Sequence, residues 1–363
     1  MKKRRLSRPI SIGNVTIGGG SPIAVQSMTK TDTRDVQATV RQIAELEEVG
    51  CELIRVAVPD MEAAQALPSI KKVIHIPLIA DIHFDYRLAL SAIKGGVDGL
   101  RLNPGNIGAK ERVVAVVNAA RERQIPIRIG VNAGSLPKSV ESLEGSTPEK
   151  MVAVALEQVK LLESLDFELI KVSLKAFDVP TTIQAYRLIA DKISYPLHLG
   201  ITEAGPPPAG LVRSAVGLGI LLYEGIGDTL RVSLTSPPAE EVAAGYEILK
   251  SLELRQHGPV LVSCPSCGRA EVYDFVGLAR KVEAYLSKID KPIKVAVMGC
   301  VVNGPGEARE ADIGIACGKG RGTLFRKGKP VRTVEEEEYL ESLIQEVEKI
   351  SNLNAGGGPC GPG

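Results

Sequence analysis

The 363-residue chain has no tryptophan and only five phenylalanines. Little aromatic surface is left for stacking bases, the device on which single-strand nucleic-acid binders depend. There is no surplus of charge either: 44 Lys and Arg stand against 43 Asp and Glu, a formal net charge of +1. Nonspecific attraction to nucleic acid is not expected, so any need for cations must be met by local placement. No apolar run approaches the roughly 20 residues of a membrane span. The opening Met1-Lys2-Lys3-Arg4-Arg5 is basic, but no apolar run follows it, so we expect no signal peptide and a cytoplasmic protein. Six cysteines are too few for a disulfide scaffold in a chain of this length. The glycine-rich 318–322 lacks the Gly-Lys-Ser/Thr order of a phosphate loop and reads as a turn.

What the chain does have is a repeating alternation of apolar segments and helical patterns. Strands are expected at 22–28, 53–58, 77–83, 99–103, 126–132, 169–174, 196–202 and 229–234, after a leader (1–20) that could form a hairpin closing a barrel floor. Residues 35–49 show the intervening type, with Val36, Val40, Ile43, Leu46 and Val49 at three-to-four spacing and Gly50 as the stop. Eight such repeats predict an α/β fold, a (β/α)8 TIM barrel, followed by a smaller α+β domain. An open doubly wound sheet is the alternative, weakened because no Gly-x-Gly-x-x-Gly follows the first strand. The expected domains are 1–256, a substrate-binding barrel, 257–350, and a disordered tail 351–363.

Five of the strands carry a cation after apolar residues: Arg55, Arg101, Arg128, Lys171 and Arg231. Two residues later, on the same strand face, come polar positions such as Asn103, Ser173 and Ser233, with Asn132 and Lys175 two further on in their strands. Inward layers of ordinary barrels are mostly branched and apolar, and buried like charges cost several kcal/mol each if unpaired. Asp81 and Glu203 lie at comparable strand positions, yet two acids against five bases still leave a surplus of positive charge. Outward-pointing cations paired with helix carboxylates would not explain five in one register. The pattern predicts a site for a strongly anionic, phosphorylated small molecule, with arginines suited to bidentate phosphate contacts. Glu203 falls at a strand C-terminus, where barrel enzymes place catalytic groups. The loop 204–210, with three prolines, is a candidate flap, and 216–222 and 238–254 read as helices. His83 shares a face with Asp81 and, as a lone histidine, is expected as a satisfied hydrogen-bonder rather than a catalyst.

Beyond residue 259 the expected order is strand, cysteine turn, helix (272–289), strand, cysteine turn, strand, glycine-rich hairpin and helix. The turns contain Cys264-Pro265-Ser266-Cys267 and Gly299-Cys300. A Cys-x-x-Cys alone is compatible with a redox pair or half a zinc site. The four histidines all lie outside 264–307, which disfavours structural zinc. An iron–sulfur cluster with a non-cysteine fourth ligand fits the three thiols better. Cys51 and Cys317 are expected as core thiols, and Cys360 falls in the tail. Thr333-Val334-Glu335-Glu336 reads as a capping box opening the last helix.

The run Ser263-Cys264-Pro265-Ser266-Cys267-Gly268-Arg269, followed by Met298-Gly299-Cys300-Val301-Val302-Asn303-Gly304-Pro305-Gly306-Glu307, resembles the 4-hydroxy-3-methylbut-2-enyl diphosphate synthases of the bacterial non-mevalonate isoprenoid pathway, in their compact form. The resemblance extends over nearly the whole chain, from Val25 to the final helix. It implies a [4Fe-4S] cluster held by Cys264, Cys267, Cys300 and Glu307, with Glu307 exchangeable. It also implies 2-C-methyl-D-erythritol 2,4-cyclodiphosphate as substrate, a proton-transfer role for Glu203, and Asn132, Thr202 and Ser233 as mouth-lining residues. Ferredoxin or flavodoxin would donate the electrons. Lys30 departs from the small polar residue that the family pattern leads one to expect. A helix after the eighth strand returns to the barrel's lower face, so the cluster most simply serves another subunit, predicting a head-to-tail homodimer. Two rival readings are a phosphate-binding barrel enzyme with structural zinc, and an electron carrier, which would leave the barrel cations without a purpose.

Overall fold

The computed structural model describes residues 1–137, 140, 144–270, 272–300, 306 and 308–353. It divides into two compact units between Arg255 and Gln256. The first unit begins with a hairpin, β1 (Ile10–Ile12) and β2 (Val15–Ile17), turning at Gly13 with φ +55°. Ile10, Ile12 and Ile17 pack against Ala24, Leu53 and Ile79 at the N-terminal ends of the barrel strands. The leader therefore forms the apolar floor, as its sequence led us to expect. It is tied to late parts of the chain: Ser7 Oγ donates to Asp228 at 2.7 Å, and the Arg5 guanidinium donates to the carbonyls of Ala190, Ile193 and Tyr195.

Eight parallel strands follow: β3 (Ala24–Met28), β4 (Leu53–Ala57), β5 (Leu78–Asp81), β6 (Gly99–Arg101), β7 (Ile127–Asn132), β8 (Ile170–Lys175), β9 (His198–Leu199) and β10 (Thr229–Leu230). They pair in the order β8-β7-β6-β5-β4-β3-β10-β9, and a parallel bridge from Val172 to Leu197 joins the two ends into a barrel. All eight coincide with expected strands, although β9 and β10 are only two residues long. Helices cover the outside: α1 (Val36–Glu48), α2 (Met61–Lys71), α3 (Tyr86–Lys94), α4 (Lys110–Glu122), α5 (Thr147–Glu163), α6 (Val179–Ala190), α7 (Ala209–Tyr223) and α8 (Pro238–Ser251). Four of them start on an aspartate, Asp35, Asp60, Asp85 or Asp178, whose carboxylate accepts from a backbone N–H of the first turn. The fold thus reuses one cap at four of its strand-to-helix turns. Helix α7 begins at Ala209, earlier than expected, and takes in the end of the proline-rich segment.

The second unit has a five-stranded sheet of β11 (Val260–Ser263), β12 (Lys294–Met298), β13 (Ile313–Ala316), β14 (Arg321–Arg326) and β15 (Lys329–Glu335), with α9 (Phe275–Leu286) and α10 (Tyr339–Leu353). The first three strands are parallel and the last two pairings antiparallel. Phe275, Val282, Leu286, Tyr339, Leu343 and Val347 from the helices pack on Val295, Val297, Ile313 and Ile315. One expectation fails here. Thr333–Glu335 do not open the last helix. They close β15, paired with β14 through Thr323↔Thr333 and Gly322↔Val334, and the helix starts at Tyr339 after a 3-10 turn. Continuing the hairpin ladder outweighs a local cap. Among the described residues no helix is long and apolar enough to cross a membrane.

Candidate active site

Side chains alternate across a strand, so the inward set is fixed once one inward residue is known. Ala24, Leu53, Ile79 and Leu169 belong to the floor cluster. Two residues further along their strands come Gln26, Arg55, Asp81 and Lys171, and beyond these Met28, Ser173 and Lys175. Above the floor the barrel interior is therefore polar, contrary to the usual branched filling.

Arg55, Arg101, Arg128 and Arg231 line a cavity of about 160 Å³ at the C-terminal ends of the strands, together with Asn132, Thr202 and Ser233. Among the described residues that line it, Asp81 is the only carboxylate. Its oxygens lie 3.4 Å from Arg55 Nε and 3.2 Å from Arg101 Nη1. Burial would raise the Asp81 carboxyl, but Arg55, Arg101 and Arg128 outweigh it and hold it below the usual carboxylate range. Burial in turn pulls Arg55 down to about 10, with Asp81 working against the shift and Arg231 and Arg101 with it. Arg128 Nη1 donates to Ser173 Oγ at 2.9 Å, while its Nε and Nη2 have no protein partner. Two glycines make room for these heads: a Cβ on Gly130 would stand 2.8 Å from Arg101 Nε, and one on Gly200 would stand 3.0 Å from Lys175 Nζ.

Of the five cations singled out in the sequence, Arg55, Arg101, Arg128 and Arg231 line this cavity. Lys171 is inward and buried, but it lies one layer below the lining, its ammonium without a protein partner. The lining lysine is Lys175, four residues on, which the sequence places on the same strand face but not among the five cations of the register. Burial, then the neighbouring arginines, pushes both lysines well below the ordinary lysine range. His198, in the same lower layer, is pushed down by burial and then by Arg128, Lys175 and Lys171, and its Nδ1 lies 2.8 Å from Thr229 Oγ1.

Glu203 does not share Asp81's position. It is exposed just past the short β9, in a left-handed conformation (φ +54°), and lines an adjoining cavity of about 420 Å³. Asn132 and Thr202 line both cavities, so Glu203 borders the cation site across them. The second internal carboxylate is Glu241, in the first turn of α8, which no sequence signal singled out. Its side chain is 1% exposed and its Oε2 lies 3.3 Å from Arg231 Nη2. Its Oε1 accepts from Leu234 N at 3.0 Å and lies 3.0 Å from Lys30 Nζ.

In the second unit the register Ser263↔Val297 puts the two cysteine turns side by side, at the C-terminal ends of neighbouring parallel strands. Gly299 N donates to Cys264 Sγ at 3.2 Å, linking the turns, and a Cβ on Gly299 would come within 3.4 Å of that sulfur. Cys267 is exposed, and hydrogen bonds from Arg269, backbone first, hold its thiol below the usual range. Among the described residues no three Cys, His, Asp or Glu side chains converge at metal-ligating distance. Glu307 and Cys360 lie outside the described residues. The donor chemistry still fits an iron–sulfur cluster: soft thiols on paired turns, one favoured as thiolate, and a glycine N–H aimed at sulfur. Cys51 and Cys317 are buried, and burial pushes each thiol up to about 12, consistent with inert core positions.

Residues 7–246 match the GcpE TIM-barrel domain, and residues 260–349 match the GcpE protein C-terminal domain. A curated protein of Dehalococcoides mccartyi is 66% identical over 350 residues, covering 96% of this chain and 100% of its own length. Proteins of Thermodesulfovibrio yellowstonii and Clostridium perfringens are 59% and 55% identical, each over 96% of this chain and at least 99% of their own length. All three are named 4-hydroxy-3-methylbut-2-en-1-yl diphosphate synthase (flavodoxin). Among solved structures, the Yersinia pestis dihydropteroate synthase superposes with TM-score 0.51 at 10% identity, over 68% of this chain and 98% of that one, a likeness of fold alone.

Proposed function

We propose, from the premise that this chain belongs to the GcpE family of 4-hydroxy-3-methylbut-2-en-1-yl diphosphate synthases, that it reductively opens 2-C-methyl-D-erythritol 2,4-cyclodiphosphate. Family membership makes it an enzyme and an oxidoreductase. In the overall reaction two electrons and two protons enter, a carbon–oxygen bond of the ring breaks, and the hydroxyl leaves as water. The linear diphosphate is the product. The observation that carries the reading is the ring of Arg55, Arg101, Arg128, Lys175 and Arg231 around a single carboxylate at the barrel mouth. A cyclic diphosphate, with one negative charge on each phosphoryl group, is of the sign that surplus attracts and offsets part of it.

The guanidiniums clamp the phosphoryl oxygens, and Asp81 keeps Arg55 and Arg101 oriented before the ligand arrives. Asn132, Thr202 and Ser233 hydrogen-bond the carbon skeleton's hydroxyls. Glu203, at the border of the two cavities, holds the proton that leaves with the hydroxyl. Cys264, Cys267, Cys300 and Glu307 would hold a [4Fe-4S] cluster. When bound, that cluster supplies the electrons one at a time. The relatives' names support flavodoxin as donor, with ferredoxin the alternative, and both fit a cytoplasmic enzyme.

We assign residues 1–256 to substrate binding and 257–350 to the cluster. The chain leaves the barrel at its N-terminal end, where Arg255 Nη1 donates to Ile23 O at 2.7 Å and pairs with Glu52. The cation site opens at the other end, which supports a head-to-tail homodimer whose cluster domains serve each other's barrels. Exposed Val212, Val216, Ile220 and Tyr223, one stripe of α7, offer apolar surface for such an association.

The test is electron paramagnetic resonance on the anaerobically prepared, dithionite-reduced protein, with and without the cyclodiphosphate. A cluster signal altered by substrate is the expected result. A signal indifferent to substrate would make the protein an electron carrier, and zinc without iron would end the reductase reading.

A further inference from the structure

Lys30 follows the end of β3, and its position is unusual for an ordinary surface lysine. Its ammonium donates to Leu234 O at 2.9 Å and to Ser236 O, and pairs with Glu241 Oε1 at 3.0 Å. Its backbone N–H donates to Gln42 Oε1 at 2.6 Å, fixing the loop that carries it. The segment it grips, 234–236, directly follows Ser233, and Ser233 and Arg231 both line the cation cavity. Glu241 completes the arrangement, taking Lys30 and Leu234 N on one oxygen and Arg231 on the other.

The charge count decides what this arrangement does. Arg231 and Glu241 alone sum to zero, and a guanidinium neutralised by a buried carboxylate attracts an incoming phosphate weakly. Adding Lys30 makes the triad +1 and divides the carboxylate between two cations. The lysine stem also ties the ends of β3 and β10, the strands whose pairing completes the circuit of the barrel beside Arg231.

We propose that Lys30 is a positioning residue for anion binding: acting through Glu241, it holds Arg231 and the 233–236 segment in place and leaves Arg231 its attraction for a phosphoryl group. The inference rests on the substrate class proposed above but is tested apart from it. Binding of inorganic pyrophosphate to the reconstituted full chain is measured by calorimetry at low and raised salt, beside turnover of the cyclodiphosphate. Lys30→Met should weaken pyrophosphate about tenfold at low salt and less at high salt, and raise KM with kcat within about twofold. Lys30→Arg should restore both. A variant that keeps its thermal midpoint but binds pyrophosphate like the parent would overturn the proposal, as would failure of Lys30→Arg to rescue. If pyrophosphate binding responds while the cyclodiphosphate is not turned over by the parent, the substrate assignment falls and the role of Lys30 stands.

Discussion

Asp81→Asn is the sharpest perturbation available, because it removes the sole carboxylate from the cavity lining while changing almost no volume. In the parent, one carboxylate sits 3.4 Å from Arg55 and 3.2 Å from Arg101, all three side chains at most 10% exposed. Breaking a buried pair by removing one partner costs about 3–5 kcal/mol, since the charge left behind is uncompensated. The asparagine carbonyl still accepts one hydrogen bond, which argues for the lower end, about 3 kcal/mol. For a unit of this size that is a fall of roughly 6–12 °C in thermal midpoint. The same change adds one positive charge to an anion site, so pyrophosphate should bind at least as tightly as before. At a hundredfold excess over Kd, ligand contributes about 2.7 kcal/mol. Most of the lost midpoint should therefore return. The assay is differential scanning calorimetry of parent and variant with and without pyrophosphate. A variant within about 2 °C of the parent without ligand, or one that binds pyrophosphate more weakly, would refute the view of Asp81 as internal counter-ion.

Lys175→Met should raise the Kd for cyclodiphosphate about 10–100-fold, as expected for one lost charged contact, whereas Lys171→Met, a layer deeper, should change it by less than about threefold; titration calorimetry reads both. Lys171, Lys175 and His198 are held below their ordinary values, so between those lowered values and the unfolded ones the folded barrel binds fewer protons than the unfolded chain. Ligand-free stability should then rise with pH between the lowered lysine values and about 10, and fall on acidification through that window. A dianion in the cavity restores the protonated forms, so its binding should take up protons, seen as a binding enthalpy that depends on the buffer's ionisation heat. In the second unit, Gly314→Ala would drive a Cβ into the Phe325 ring and to 2.8 Å from Ala296 Cβ. It should cost that unit about 1–3 kcal/mol and expose it first to limited proteolysis.

The barrel was readable because its signals are local and periodic: eight apolar runs, and cations at one register within them. Lys175 is named in the sequence as a polar neighbour but not as a site cation, because the sixth expected strand, 169–174, stops one residue before it, whereas β8 continues through Lys175 paired with Asn132. Glu241 escaped for a different reason. An acid in a helix's first turn normally needs no explanation beyond the dipole. Its partners Lys30 and Arg231 lie on two different strand ends, and only the closed barrel brings them together. The mistaken cap at Thr333 is the reverse case, a correct local motif overruled by pairing with Thr323 ten residues earlier. Glu203 had the right place in sequence but the wrong orientation, because β9 ends at Leu199 and the chain turns left-handed before it can point inward.

The floor latch sets an order on the birth of the protein. Ser7 meets Asp228 across 221 positions of chain, and Arg5 reaches carbonyls at 190–195, so during synthesis this leader has to wait for almost the last segment of the barrel. At roughly 5–20 residues per second, that wait is on the order of ten to forty-five seconds. During it the nascent sheet has two open edges and an uncovered apolar end, the condition in which strand addition between neighbouring chains is easiest. Arginines and lysines strung along its inner face are the residue type that opposes such addition, a service independent of any ligand.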